Sequence, residues 1–105
     1  MTTVICTYKL PTAKSREEIS SIFNYAAQSV FKNMDGLNSK QFCYDEKTGE
    51  GLSVYHWNST QKAQEFFHSP SFANDFKSAL GTEPEFKFLD CLVMVDNRLN
   101  DIVVS

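Results

Sequence analysis

Between positions 19 and 34 the apolar side chains Ile19, Ile22, Phe23, Ala26, Ala27, Val30, Phe31 and Met34 advance by alternate steps of three and one. That spacing draws a single stripe along one side of an α-helix. A helix striped on one side must lay that side on another element, and the segments around it carry the two-residue period of strands. The chain is therefore committed to stacking helix on sheet. Ser15 and Glu18 stand at the spacing of a capping box, in which the hydroxyl accepts from a free backbone N–H at the helix start. Asp35-Gly36 supplies the left-handed residue that ends the helix.

The remaining elements follow from the same signals. Residues 3–10 are rich in β-branched and aromatic side chains and stop at Pro11, which predicts a first strand. Residues 41–45 predict a second strand, the polar Gly-containing run 46–51 a hairpin connection, and 52–57 its antiparallel partner. Ser59 or Thr60 caps a second helix with Ala63, Phe66 and Phe67 inward. Ser69-Pro70 breaks that helix and starts another, along which Phe72, Phe76 and Leu80 continue the stripe as far as Gly81. Residues 86–95 are apolar enough for a fourth strand covered on both faces. The order β-α-β-β-α-β predicts an α+β, ferredoxin-like antiparallel sheet with its helices on one face. The 105 residues read as a single domain, positions 1–105, with no repeat or linker, enough to bury roughly two thirds of the unfolded surface.

A net charge of -3 with dispersed Lys and Arg offers no electrostatic footprint for a phosphate backbone, so nucleic acid is not expected as a partner. No apolar run reaches the length that spans a bilayer, and the first residues lack the basic start and cleavage site of a leader, so a cytoplasmic protein without membrane association is expected. Cys6, Cys43 and Cys91 are odd in number and far apart, each within an apolar strand-like segment, which predicts small buried hydrophobes in a reducing compartment. His56 and His68 are not spaced as metal ligands, and no metal is expected.

In the fourth strand Phe86, Phe88, Leu92 and Met94 share one side while Leu89, Cys91, Val93 and Val95 share the other. Neither side suits water, and the helix-free face of the sheet needs a cover. A second copy packed face to face, giving a dimeric α/β-barrel, supplies it. The apolar tail around residues 102–104 is expected to dock on its own sheet edge or on that partner.

The succession Asp35-Gly36-Leu37, a strand with Phe42 and Tyr44, the acidic hairpin 46–50, the run 54–57 into a Ser-Thr-capped helix with Ala63, Phe66 and Phe67, and a last strand ending at 95–99 resembles the dimeric α/β-barrel proteins. Among these it is similar to the YdhR-type mono-oxygenases, neighbours of the antibiotic-biosynthesis mono-oxygenases. The resemblance implies a homodimer with a pocket between sheet and helices, in which aromatic or quinol-like substrates are oxidised by molecular oxygen with no metal, flavin or other cofactor. It implies catalytic roles for Trp57, Asn58 and Tyr44, matched by residue type and neighbourhood. It implies substrate contacts from Tyr55, Phe66, Phe67, Phe72 and Phe76. A haem-degrading branch of the superfamily uses His and Trp where this chain offers Phe76 and Phe66, so haem degradation is not implied.

Read residue by residue, Tyr55 and Trp57 project to one face of their strand while Val54 and His56 project to the other, so only one set can line a given pocket. Tyr55 and Trp57 are either a pocket wall or part of an aromatic core or interface. His56 is either a general base or a structural side chain, and His68 either a functional group or a complement to the end of its helix. Asp90, within an apolar strand, is the carboxylate expected to titrate high if buried. Lys9, Lys40 and Lys87 are expected to be solvated strand residues that discourage edge pairing. Three readings compete: the mono-oxygenase, a non-catalytic dimer that holds a small hydrophobic molecule, and a structural dimer with a fully filled core and no cavity.

Overall fold

The structure, a computed structural model, describes residues 1–104; Ser105, the end of the apolar tail, lies outside the described residues. In chain order the elements are β1 (Thr2–Lys9), α1 (Arg16–Ala26), β2 (Leu37–Asp45), β3 (Glu50–Trp57), α2 (Thr60–Phe67), α3 (Pro70–Leu80), β4 (Glu85–Asp90), β5 (Val93–Asp96) and β6 (Asp101–Val104). Four strands form a sheet in the order β2-β3-β1-β4, every neighbour antiparallel, and β5 pairs with β6 in a separate hairpin. This is the ferredoxin-like α+β arrangement that the order of periodicities predicts.

The helix boundaries sit where the cap chemistry puts them. Ser15, Ser59 and Ser69 each accept the backbone N–H three residues on, and Pro70 follows Ser69 at the first position of α3. Of the two possible caps for α2 Ser59 takes the role, while the Thr60 hydroxyl is hydrogen-bonded to that of Thr2. Gly81 closes α3 in the left-handed conformation at φ 70°. Gly36, left-handed at φ 86°, does not end the first helix as expected: that helix stops at Phe31, Lys32 is already extended, and Asn33 at φ 62° is the left-handed residue beside its end.

One parity of each strand faces the helices. Thr2, Val4, Cys6 and Tyr8 on β1 and Ser53, Tyr55 and Trp57 on β3 are buried there, with Ala63 and Phe67 of α2 set onto them. The core is thus concentrated beneath α2. α1 behaves differently from the continuous buried stripe expected of it: only Ile19 is buried, and Val30 is 44% exposed. The stripe still faces inward, with Ile22, Phe23 and Phe31 half-buried against the core and Phe23 in ring contact with Phe42 of β2, but part of it borders a space in the molecule, described below. Its last turn widens into a π segment over Ala27–Phe31, closed by Lys32 N–H donating to the Ala27 carbonyl at 2.8 Å.

The expected single fourth strand is two strands. Asp90 pairs with Thr2, the first residue of β1, so the ladder has no further partner; Cys91 N–H then donates to the Met1 carbonyl at 3.0 Å and the chain turns away into β5 and β6. The apolar tail therefore pairs with β5, not with the edge of the main sheet. Val95, Ile102 and Val104 remain largely exposed on this hairpin. Of the three cysteines only Cys6 is buried, because Cys43 sits at the opposite parity of β2 from the core-facing Phe42, and Cys91 lies at the break between β4 and β5. Asp90 is likewise exposed, since it ends β4 at the edge of the sheet. Among the described residues no helix is long and apolar enough to cross a membrane.

Candidate functional site

A cavity of about 860 Å³ separates the sheet from α1 and α3. β1 contributes Tyr8, β2 Lys40 and Phe42, β3 Ser53 and Tyr55, and the helices Phe23, Phe31, Phe66, Phe72 and Phe76. Tyr25 and Val30 on α1 and Asp75 on α3 form an exposed rim, so the space opens to solvent between the two helices. The volume falls within the range of small-molecule sites, and the wall is largely π surface with a few hydroxyls. The rings form a continuous lining: Phe31 is 5.8 Å from Tyr55 and 5.7 Å from Phe66, Phe66 is 5.0 Å from Phe72, and Phe76 is 5.0 Å from Tyr8. Edge-to-face contacts at these separations fix the ring planes and leave faces turned to the space.

Lys40 departs most from expectation. It is half-buried and faces inward: it pairs across the ladder with Tyr55, so its side chain projects toward the helices beside that of Phe42. Nζ lies 3.5 Å from the Phe31 ring centroid, 3.8 Å from Phe42 and 4.5 Å from Tyr55, an amine enclosed by three aromatic faces. Among the described residues it has no ion pair, and no oxygen accepts from it. Burial lowers its pKa to about 7, with only the nearby Cys6 thiol pulling the other way. The same desolvation pushes the Cys6 thiol up to about 12 and raises Tyr8 and Tyr55 well above the ordinary phenol range. At neutral pH the thiol and phenols of the inner wall are thus uncharged, and Lys40 is the group whose charge is in play there. Parity held this information: Lys40 is two residues from Phe42 and four from Tyr44, and beginning β2 at Gln41 hid it.

Of the residues singled out in the sequence, Tyr55, Phe66, Phe72 and Phe76 come together on the cavity wall. Phe67 lies behind them, with its ring 4.8 Å from Tyr55 and 5.9 Å from Trp57. Trp57 is packed under α2 away from the cavity, and its indole N–H has no acceptor among the described residues. Asn58 is exposed beyond the end of β3, with its backbone N–H donating to the Gly36 carbonyl at 2.8 Å. The Tyr44 hydroxyl accepts from Lys14 N–H at 2.8 Å and donates to the Lys14 carbonyl at 3.0 Å, which ties β2 to the loop before α1. His56 is on the helix-free face beside the Thr3 hydroxyl, and His68 caps the C-terminal end of α2 with its ring stacked on Phe88. Neither histidine reaches the cavity. Among the described residues no three His, Cys, Asp or Glu side chains gather as metal ligands.

The geometry defines a ferredoxin-like domain with an aromatic chamber between its sheet and helices. No protein-family model and no curated protein matches the sequence. Solved structures do match the fold. SnoaB of Streptomyces nogalater, a cofactor-independent oxygenase, superposes with a TM-score of 0.64 at 16% identity over 86% of this chain and 91% of its own. An inferred antibiotic-biosynthesis mono-oxygenase of Deinococcus radiodurans gives 0.61 at 17% identity over 87% and 92%. The ActVA-Orf6 mono-oxygenase of Streptomyces coelicolor, solved with Nanaomycin D, gives 0.60 at 13% over 86% of each chain. At such identities the likeness establishes the fold. That fold is the one found in antibiotic-biosynthesis mono-oxygenase-type proteins, the superfamily that the sequence resembles.

Proposed function

We propose that the chain binds a flat, electron-rich aromatic molecule in the chamber and oxidises it with dioxygen, without a bound metal or flavin. The observation that carries this reading is the lining itself: ring faces around a volume that suits a polycyclic compound, entered between two helices. Oxygenases among the structural neighbours support it by fold. In the reaction the substrate anion passes one electron to dioxygen, and the resulting radical and superoxide join as a peroxide at carbon. Loss of water then leaves a carbonyl, so that a CH₂ group and O₂ become C=O and H₂O. The protein supplies orientation, exclusion of water and a preference for the anion. Tyr55, Phe66, Phe72 and Phe76 are the proposed substrate contacts. Oxygen uptake with anthrones and quinols tests the proposal; uptake no faster than without protein, for compounds shown to bind, overturns it.

A second reading, a non-catalytic carrier of a hydrophobic ligand, draws on a specific observation: Trp57, Asn58 and Tyr44, the polar residues to which the family resemblance gives catalytic roles, lie outside the lining. Thermal-shift ligands that bind without consuming oxygen favour it. Under either reading we infer a homodimer in the cytoplasm. Support for the dimer comes from Leu52 and Leu89 on the helix-free face and from the apolar hairpin β5–β6, all exposed in the single chain. Three free thiols suit a reducing compartment.

A further inference from the structure

Lys40 is the sole cationic side chain among the described residues that line the chamber, and it has no counter-ion there. An ammonium set among three ring faces has three donors and no protein oxygen among the described residues to accept from them, an arrangement relieved by losing the proton or by gaining an anion. The titratable groups around it do neither. Tyr55 on β3 and Cys6 and Tyr8 on β1 keep their protons at neutral pH, because burial raises all three. Asp75 on α3 stands at the exposed rim and is not paired with the amine.

We propose that Lys40 is the acid-recognising group of the chamber: it takes the proton of a weakly acidic hydroxyl on a flat aromatic ligand and then holds the oxyanion as its counter-ion. The ligand O–H bond breaks with its electron pair left on oxygen, an N–H bond forms on Nζ, and the chamber gains no net charge. Ligand and amine both enter the reaction neutral, so neither carries a hydration shell into an apolar space. A carboxylate ligand arrives ionised and lacks this advantage. Because burial brings the amine down to about 7, the transfer favours hydroxyls made acidic by a conjugated carbonyl over simple phenols. The inference rests on the chamber being an aromatic-ligand site but not on any reaction with oxygen.

The test is anaerobic. 7-Hydroxycoumarin, whose phenolate absorbs at longer wavelength than its phenol, is titrated with the protein across pH 6 to 9. Binding to the wild-type chain is expected to lower the probe's apparent pKa by about one unit or more. Lys40→Met and Lys40→Gln are expected to bind the neutral form and to lose roughly tenfold or more in affinity for the phenolate, as the linked equilibria require. 7-Methoxycoumarin, which has no proton to give, should bind wild type and variants alike. The proposal is overturned by an equal pKa change in the Lys40 variants, by no change in the wild-type complex, or by failure of 7-hydroxycoumarin to bind the wild-type protein. Oxygen uptake is measured separately, so failure of the oxygenase reading leaves this result distinguishable.

Discussion

Replacing Lys40 with methionine, which keeps the length of the side chain and removes its amine, measures how the chamber treats charge. In the unfolded chain Lys40 titrates near 10.5, and in the folded chain burial brings it to about 7. Between those values the unfolded state binds a proton that the folded state has shed, so stability rises with pH, by at most about 1.4 kcal/mol per unit. Over pH 7 to 9 the gain is about 2 kcal/mol, and it is complete only near 10.5. The three rings around Nζ oppose this, because a cation–π contact stabilises the ammonium by about 0.5 to 2 kcal/mol. The displacement to about 7 is worth about 5 kcal/mol, comparable with the upper end of what three ring contacts together return, so the pH dependence measures which of the two prevails. Urea unfolding of wild type and Lys40→Met at pH 7, 8 and 9 gives the difference directly. Cys6, Tyr8 and Tyr55, whose raised titrations remove stability at higher pH, are present in both proteins and cancel. The wild type should gain about 2 kcal/mol on the variant across that range. A difference that stays flat refutes the reasoning and means that the aromatic faces hold the amine protonated throughout.

Other substitutions separate scaffold from chamber. Tyr44→Phe removes both hydrogen bonds to Lys14 and should cost about 1 to 2 kcal/mol in urea unfolding, with ligand affinity unchanged by calorimetry. Gly51→Ala places a Cβ 2.2 Å from the ring of Tyr8, a chamber-lining residue, so that ring must move aside; a loss of about 1 to 3 kcal/mol and weaker aromatic-ligand binding are expected together. Ser59→Ala should cost about 1 kcal/mol by thermal unfolding, through loss of the α2 cap. Ile102→Asp, on the exposed hairpin, should shift sedimentation toward monomer without changing the circular dichroism of the fold.

Much of the architecture was legible because it is set locally. The serine caps, Pro70, Gly81 and the alternation of β1 and β3 each act within a few residues, and together they determine element order and the face that Tyr55 and Trp57 share. What the sequence could not carry was distance. The stripe on α1 reads the same whether the helix rests on the sheet or spans a chamber, and the break after Asp90 depends on where β1 stops offering partners. The inward turn of Lys40 is hidden for a related reason. Charged residues on strands usually face water, and only the pairing with Tyr55 turns this one inward. The polar candidates Trp57, Asn58 and Tyr44 are close to the chamber in sequence, but the end of β3, the packing under α2 and the Lys14 loop each draw one of them elsewhere.

The π segment at the end of α1 is the last helical stretch before the chain extends at Lys32. Ile22 and Phe23 before it and Val30 and Phe31 within it line the same chamber, so the wider turn carries that wall on to its end. Ile22 is aligned by the Ser15 cap, whereas Phe31 is aligned by its approach to Tyr55 and to the amine of Lys40. A chain shortened by one residue in this segment has a route back to an ordinary helix that disturbs neither the cap nor the ladder of β2. The length of this wall is therefore separable from its register, and the shape of the chamber can be changed here while the sheet stays fixed.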